Sequence, residues 1–159
     1  MVNAPPPFVP GAFVGAEHHY RARVYFEDTD LSGIVYHANY LRYMERARSD
    51  MLRIAGIDQR AAMDAGDGSW AVTDLAIKYR RPAKLDDDLL VVSTVEAVRG
   101  ASVIIAQRIL RGTDTLTGET LTEGRVTAAF LSPDGRPRRQ PAGWADRFTA
   151  IMNGEKIPC

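Results

Sequence analysis

The chain has 159 residues, 45% apolar and 25% charged, the balance of one globular domain able to bury a continuous core. Lysine plus arginine total 20 and aspartate plus glutamate total 20, so the general positive surplus that non-specific nucleic-acid binding requires is missing. No apolar run approaches the roughly 20 residues that span a bilayer. The single cysteine, Cys159, can form no intrachain disulfide. The expectation is a cytoplasmic protein that is not an integral membrane protein and binds no nucleic acid.

Residues 1–17 carry Pro5, Pro6, Pro7 and Pro10 and no lysine or arginine, which breaks any signal-like apolar stretch. They read as an extended or disordered arm, with a single domain over residues 18–159. Order is expected to begin near His19, where His19 to Phe26 reads as a strand. A loop follows from Glu27 to about His37. Tyr40, Tyr43, Met44, Ala47, Met51, Ile54 and Ala55 then recur at three- and four-residue steps, which predicts a long amphipathic helix. Asn39 is its expected N-cap and Gly56 its C-terminal stop, with Arg46, Ser49, Asp50 and Arg53 on the outward face.

A short helical patch around Arg60 to Ala65 ends at Gly66 and Gly68. Beyond it the chain reads as strands. Leu75, Ile77 and Tyr79 alternate with Ala76, Lys78 and Arg80 until Pro82; Leu89 to Val98, Val103 to Leu110 and Leu121 to Leu131 follow, separated by turn residues. Ala142 to Met152 reads as a final helix. Strands joined by turns pair antiparallel, and alternating βα units are absent. The predicted fold class is α+β, one antiparallel sheet wrapped around one long helix.

The densest chemistry lies between Phe26 and Tyr40, where Glu27, Asp28 and Asp30 precede the long helix. A helix start offers unpaired N–H groups and positive partial charge. A carboxylate held there can act as nucleophile or general base while the amides stabilise a developing oxyanion, a combination suited to hydrolysis of an activated acyl group. Three rival motifs fail on the same stretch. An EF-hand loop would place Asn39 at its glutamate position. A nucleophile elbow would need a glycine two residues before Ser32. No His-x-x-x-His or Cys-x-x-Cys spacing supports a metal. Glu45 is a second carboxylate on the helix, and its i, i+4 relation to Ser49 makes it a surface pair. Tyr36, Tyr40 and Tyr43 are candidates to line an acyl pocket or to fill the core. Arg99, at a turn between strands, is a candidate phosphate contact.

The run Val24-Tyr25-Phe26-Glu27-Asp28-Thr29-Asp30, then Gly33 to Tyr40 and Glu45-Arg46-Ala47-Arg48, resembles the 4-hydroxybenzoyl-CoA thioesterase-like hotdog family. The resemblance is strongest to its Tol–Pal-associated acyl-CoA thioesterase branch. Tyr79-Arg80-Arg81-Pro82-Ala83 and Arg99-Gly100-Ala101-Ser102 also resemble that branch, and the likeness runs from about Tyr20 to about Pro141. It implies a hotdog fold and hydrolysis of acyl-CoA to free acid and CoA, with no metal and no cofactor. It implies Asp30 as nucleophile or general base, the amide at His37 as the group polarising the carbonyl, and a supporting role for the His37 side chain. It implies a homodimer or homotetramer with sites between subunits, and Arg99 as a contact for the phosphates of CoA. Leu31-Ser32 departs from the small pair usual before the glycine.

Two other readings share these residues. A hotdog acyl-thioester hydratase or dehydratase would use Asp30 and His37 to move protons at carbon. A non-catalytic acyl-CoA-binding protein would have no need of a poised carboxylate.

Overall fold

The computed structural model describes residues 11–159. Its elements are β1 (Ala12–Val14), β2 (Glu17–Arg23), a 3-10 turn (Phe26–Asp28), α1 (Asn39–Ile54), α2 (Gln59–Asp64), β3 (Ser69–Tyr79), β4 (Asp88–Val98), β5 (Ser102–Arg111), β6 (Glu119–Leu131) and α3 (Trp144–Asn153). The strands form one six-stranded sheet in the order β1-β2-β4-β5-β6-β3, every pair antiparallel. No helix of the described residues is long and apolar enough to cross a membrane.

Helix α1 lies across the inner face of this sheet, because its periodic residues have one place to go. Tyr40, Tyr43, Met44, Ala47 and Met51 are all buried against Val24, Leu89, Val91, Ile105 and Ile109. Burying a large apolar side chain such as Met44 or Met51 contributes about 1.5–3 kcal/mol, which fixes which face of the helix turns inward. The helix ends as its sequence predicts. Gly56 takes φ +76°, its N–H donates to the Arg53 carbonyl, and the Ile57 N–H donates to that of Leu52. This is a Schellman closure, with Ile57 and Leu52 in one apolar cluster.

Four expectations need correction. Asn39 is the first helical residue and not the cap; Ala38 stands at that position, with no side-chain cap bond. Asn39 serves the preceding loop instead, its Nδ2 donating to the Asp28 carbonyl at 2.9 Å. Asp50 is not on the outward face. It is buried, and its Oδ2 lies 2.8 Å from Nε2 of His18, which is fully enclosed. Helical spacing left Asp50 at the margin of the polar arc, and a buried partner drew it inward.

The expected arm does not extend to residue 17: β1 pairs with β2 from Ala12↔His19 to Val14↔Glu17, and the Gly11 N–H donates to Asp50 Oδ2 at 2.9 Å. Residues 1–10 of that arm lie outside the described residues. Finally, β3 is not a neighbour of β4. It pairs with β6 at the far edge, from Ser69↔Leu131 to Tyr79↔Thr122. The connection from Arg80 to Asp87 runs back across the end of the sheet. There the Ala83 carbonyl accepts the Val35 N–H at 2.9 Å and Lys84 bridges Ile34. That crossing clamps the acidic loop against the sheet.

The second core half gathers Trp70, Phe130, Trp144 and Phe148, whose ring centroids lie 5.3–6.2 Å apart. Strand β3 is left as an edge. A register shift at Thr73 keeps Trp70 and Val72 on the same side as Leu75, Ile77 and Tyr79. Trp70 and Ile77 pack on the core, yet Val72, Leu75 and Tyr79 stay 52%, 39% and 46% exposed.

Candidate active site

After Val24 the chain leaves the sheet and is tied down at once. The Val24 N–H donates to the Asp87 carbonyl, and Asp28 Oδ2 accepts the Tyr25 N–H at 2.8 Å. The Asp28 carbonyl accepts twice, from the Tyr36 N–H and from Asn39 Nδ2, both at 2.9 Å. One peptide oxygen therefore fastens the loop to the start of α1.

Between these anchors, residues Asp30 to Ile34 make a closed turn. The Asp30 N–H donates to the Ile34 carbonyl and the Gly33 N–H to the Asp30 carbonyl, both at 2.9 Å. Gly33 sits at φ +80°, a conformation that a side chain disfavours. The Asp30 carboxylate is exposed, and its Oδ1 accepts from the Ser32 N–H at 2.8 Å and from Ser32 Oγ at 2.5 Å. The Ser32 hydroxyl and then its N–H hold the Asp30 carboxyl below the usual carboxylate range; the Ile34 peptide and the His37 ring add smaller pulls, against weak burial.

His37 sits just before the first turn of α1, where backbone donors are unpaired by construction. Its carbonyl accepts the Tyr79 hydroxyl at 2.9 Å, and its own N–H has no acceptor among the described residues. The imidazole is exposed, with the Tyr36 ring centroid 4.5 Å away and that of Tyr79 edge-on at 6.3 Å. Beside it opens a cleft of about 280 Å³ lined by Ile34, Val35, His37, Tyr40, Tyr79, Arg80, Arg81 and Pro82. Arg80 and Arg81 form its basic rim, paired with Glu123 at 2.7 Å and Glu119 at 2.8 Å but both well exposed.

The sequence-selected residues divide between this cleft and elsewhere. Asp30 and His37 belong to one loop. Tyr40 lines the cleft, and its hydroxyl oxygen accepts the Ala83 N–H at 3.0 Å. Tyr36 lies outside the lining, packed on His37. Tyr43 is a core residue. Its hydroxyl has no partner among the described residues, and burial, with the Asp28 carboxylate close by, pushes its pKa up and keeps it protonated. Arg99 is exposed at the β4–β5 turn, whereas the Asp30 loop continues from the Asp88 end of β4. The 11 residues of β4 at about 3.3 Å each put these ends roughly 30 Å or more apart in one chain. Glu45 keeps to the surface and accepts the Ser49 hydroxyl at 2.6 Å.

Tyr79, Arg80 and Arg81 were given no role by the sequence. Their Tyr-Arg-Arg-Pro run was visible, but only the strand register shows that it ends beside His37. A second cavity of about 150 Å³ is lined by Glu45, Ser49 and Leu52 of α1, by Trp70 of β3 and by Val103 and Phe148.

The thioesterase superfamily profile matches residues 32–117. An acyl-CoA thioesterase, YbgC, of Haemophilus influenzae is 38% identical over 122 residues, 77% of this chain and 90% of that protein. An acyl-CoA thioester hydrolase, YbgC, of Escherichia coli is 39% identical over 127 residues, 79% of this chain and 91% of its own length. Among solved structures, a probable thioesterase from Bartonella henselae superposes with TM-score 0.71 at 35% identity, covering 79% of this chain and 99% of that one. With a sheet folded around one helix and the acidic loop at the helix start, the chain belongs to the thioesterase superfamily and has its hotdog fold.

Proposed function

We propose that the protein hydrolyses acyl-CoA thioesters to free acid and CoA in the cytoplasm, with Asp30 as the nucleophile. The observation that carries the reading is one loop that holds the Asp30 carboxylate and an unengaged His37 N–H, with a cleft beside His37 whose lining includes Arg80 and Arg81. The thioester carbonyl lies in the cleft by His37. Asp30 Oδ2 adds to the carbonyl carbon while the charge developing on its oxygen is met by the His37 N–H. Collapse breaks the C–S bond and expels the thiolate of CoA, which takes a proton from water. Water then opens the mixed anhydride, releasing the acid and a proton and restoring the carboxylate. The His37 ring and Tyr40 position the substrate, and Arg80 and Arg81 meet the phosphates of CoA.

The assembly is a homodimer or a homotetramer built on it. An 11-residue edge strand with an uncovered apolar face is a surface that proteins pair or cover. Two β3 strands pairing antiparallel about their middles set the Tyr79 end of one beside the Ser69 end of the other. The Ser69 end carries the β4–β5 turn, because Ser69 pairs with Leu131 and Ser102 with Ala129 on β6. Arg99 of one copy then lies at the same end as His37 of the other, and so does the apolar cavity beside Trp70. The site is completed between subunits.

A panel of acyl-CoAs of varied chain length, with free thiol followed by a colour reagent, tests the activity. Thiol release supports hydrolysis. A change in enoyl absorbance without thiol release would indicate a hydratase, and silence across the panel a binding protein.

A further inference from the structure

Ser32 directs two donors at one oxygen. Its N–H and its hydroxyl both reach Asp30 Oδ1, at 2.8 and 2.5 Å. The turn does not need the hydroxyl, since the Asp30–Ile34 and Gly33–Asp30 peptide bonds already close it. Nor does the hydroxyl bond elsewhere among the described residues. Oδ2 receives no donor from them. An unrestrained carboxylate on an exposed loop turns freely about its last torsion and presents either oxygen. Here both Ser32 donors occupy Oδ1, which restrains the carboxylate and leaves Oδ2 as the oxygen without a donor.

We infer that Ser32 is a positioning residue for Asp30: it holds Oδ1 in place and leaves Oδ2 as the oxygen that reacts. The inference rests on the reading of Asp30 as nucleophile. The same hydroxyl is the largest cause keeping the Asp30 carboxyl below its ordinary range, ahead of the peptide donors and His37. The hydroxyl thus adds to the Ser32 N–H both in holding Oδ1 and in lowering the carboxyl, which gives the second residue of Leu31-Ser32 a task. Leu31 beside it is fully exposed and takes no part.

Ser32→Ala keeps the backbone donor and the turn, so melting temperature should not move. It should lower kcat about 10-fold, the scale of one hydrogen bond to a charged group, leave KM within about twofold, and move the acid limb of the kcat profile to higher pH. Ser32→Thr, which returns a hydroxyl, should restore both. A purely structural serine would leave the acid limb where it was. Wild-type turnover in Ser32→Ala, or reduced turnover with an unmoved acid limb, would overturn the inference while Asp30→Asn is inactive. An active Asp30→Asn would instead overturn the reading beneath it.

Discussion

His18 and Asp50 meet inside the protein, Nε2 to Oδ2 at 2.8 Å, and tie β2 to the C-terminal half of α1. The same Oδ2 accepts the Gly11 N–H at 2.9 Å, so one carboxylate also fastens the segment leading into β1. The approach leaves no room for a side chain. A Cβ on Gly11 would stand 2.6 Å from Asp50 Oδ2 and from the His19 carbonyl, and 2.7 Å from His18 Nε2. Asp50→Ala strands the buried His18 donor and the part-buried Gly11 N–H and should cost about 3 kcal/mol, read as a shift in denaturant midpoint.

The pair also predicts a pH dependence. Burial depresses the His18 pKa below its ordinary 6.5, outweighing the opposite pull of Asp50. As pH falls through about 6.5 the unfolded chain takes up a proton that the folded chain refuses. This contribution to stability is therefore complete above pH 6.5 and is lost as pH falls from there toward the depressed folded value. The slope is at most about 1.4 kcal/mol per pH unit. His18→Gln should flatten the change in Tm between about pH 7.5 and pH 5.5. An identical pH dependence in both proteins would contradict this.

Substrate capture should separate the basic residues from the chemistry. Replacing Arg80 and Arg81 together by alanine should raise KM for an acyl-CoA about tenfold and leave kcat within about twofold. A thioester of plain pantetheine, which lacks the nucleotide phosphates, should be unaffected. Because Arg99 and His37 lie at opposite ends of one chain's sheet, Arg99 can act only across a subunit boundary. Mixing Arg99→Ala with Asp30→Asn should then regenerate one wild-type site per mixed dimer, seen as recovered activity at low substrate.

The proposed assembly pairs two β3 edges. Light scattering at micromolar concentration should give a mass of at least about 35 kDa, twice that of the 17.5 kDa chain. Val72→Lys with Leu75→Lys places charge on the exposed apolar edge and should yield a folded monomer with little activity. A wild-type mass near 17.5 kDa would contradict the pairing.

The parts of the fold that repeat along the chain were legible in the sequence. Helix α1, the β4-β5-β6 run and α3 each follow from local periodicity and turns, and the observed boundaries differ by two residues at most. What failed depends on distant contacts. Nothing near Asp50 reveals that His18, 32 positions away, will draw it inward. Nothing in Leu75–Tyr79 reveals a partner in β6 in place of β4. The loop of Asp30 and His37 was legible because the residues are contiguous. Tyr79 and Arg80 reach it only through the sheet, and Tyr43 carries the same helical spacing as Tyr40 yet ends in the core.

The central claim is that the loop carboxylate, and not the helix carboxylate, performs the reaction. Steady-state thiol release by Asp30→Asn and Glu45→Gln tests it most directly, with both variants matched to wild type in Tm and assembly. Asp30→Asn should lose about 10²–10⁴-fold in kcat with little change in KM. Glu45→Gln, which keeps an oxygen for the Ser49 hydroxyl and loses only a surface charge, should lose well under a tenth of that. A well-folded Glu45→Gln that is inactive beside an active Asp30→Asn would move the chemistry to α1 and contradict the account.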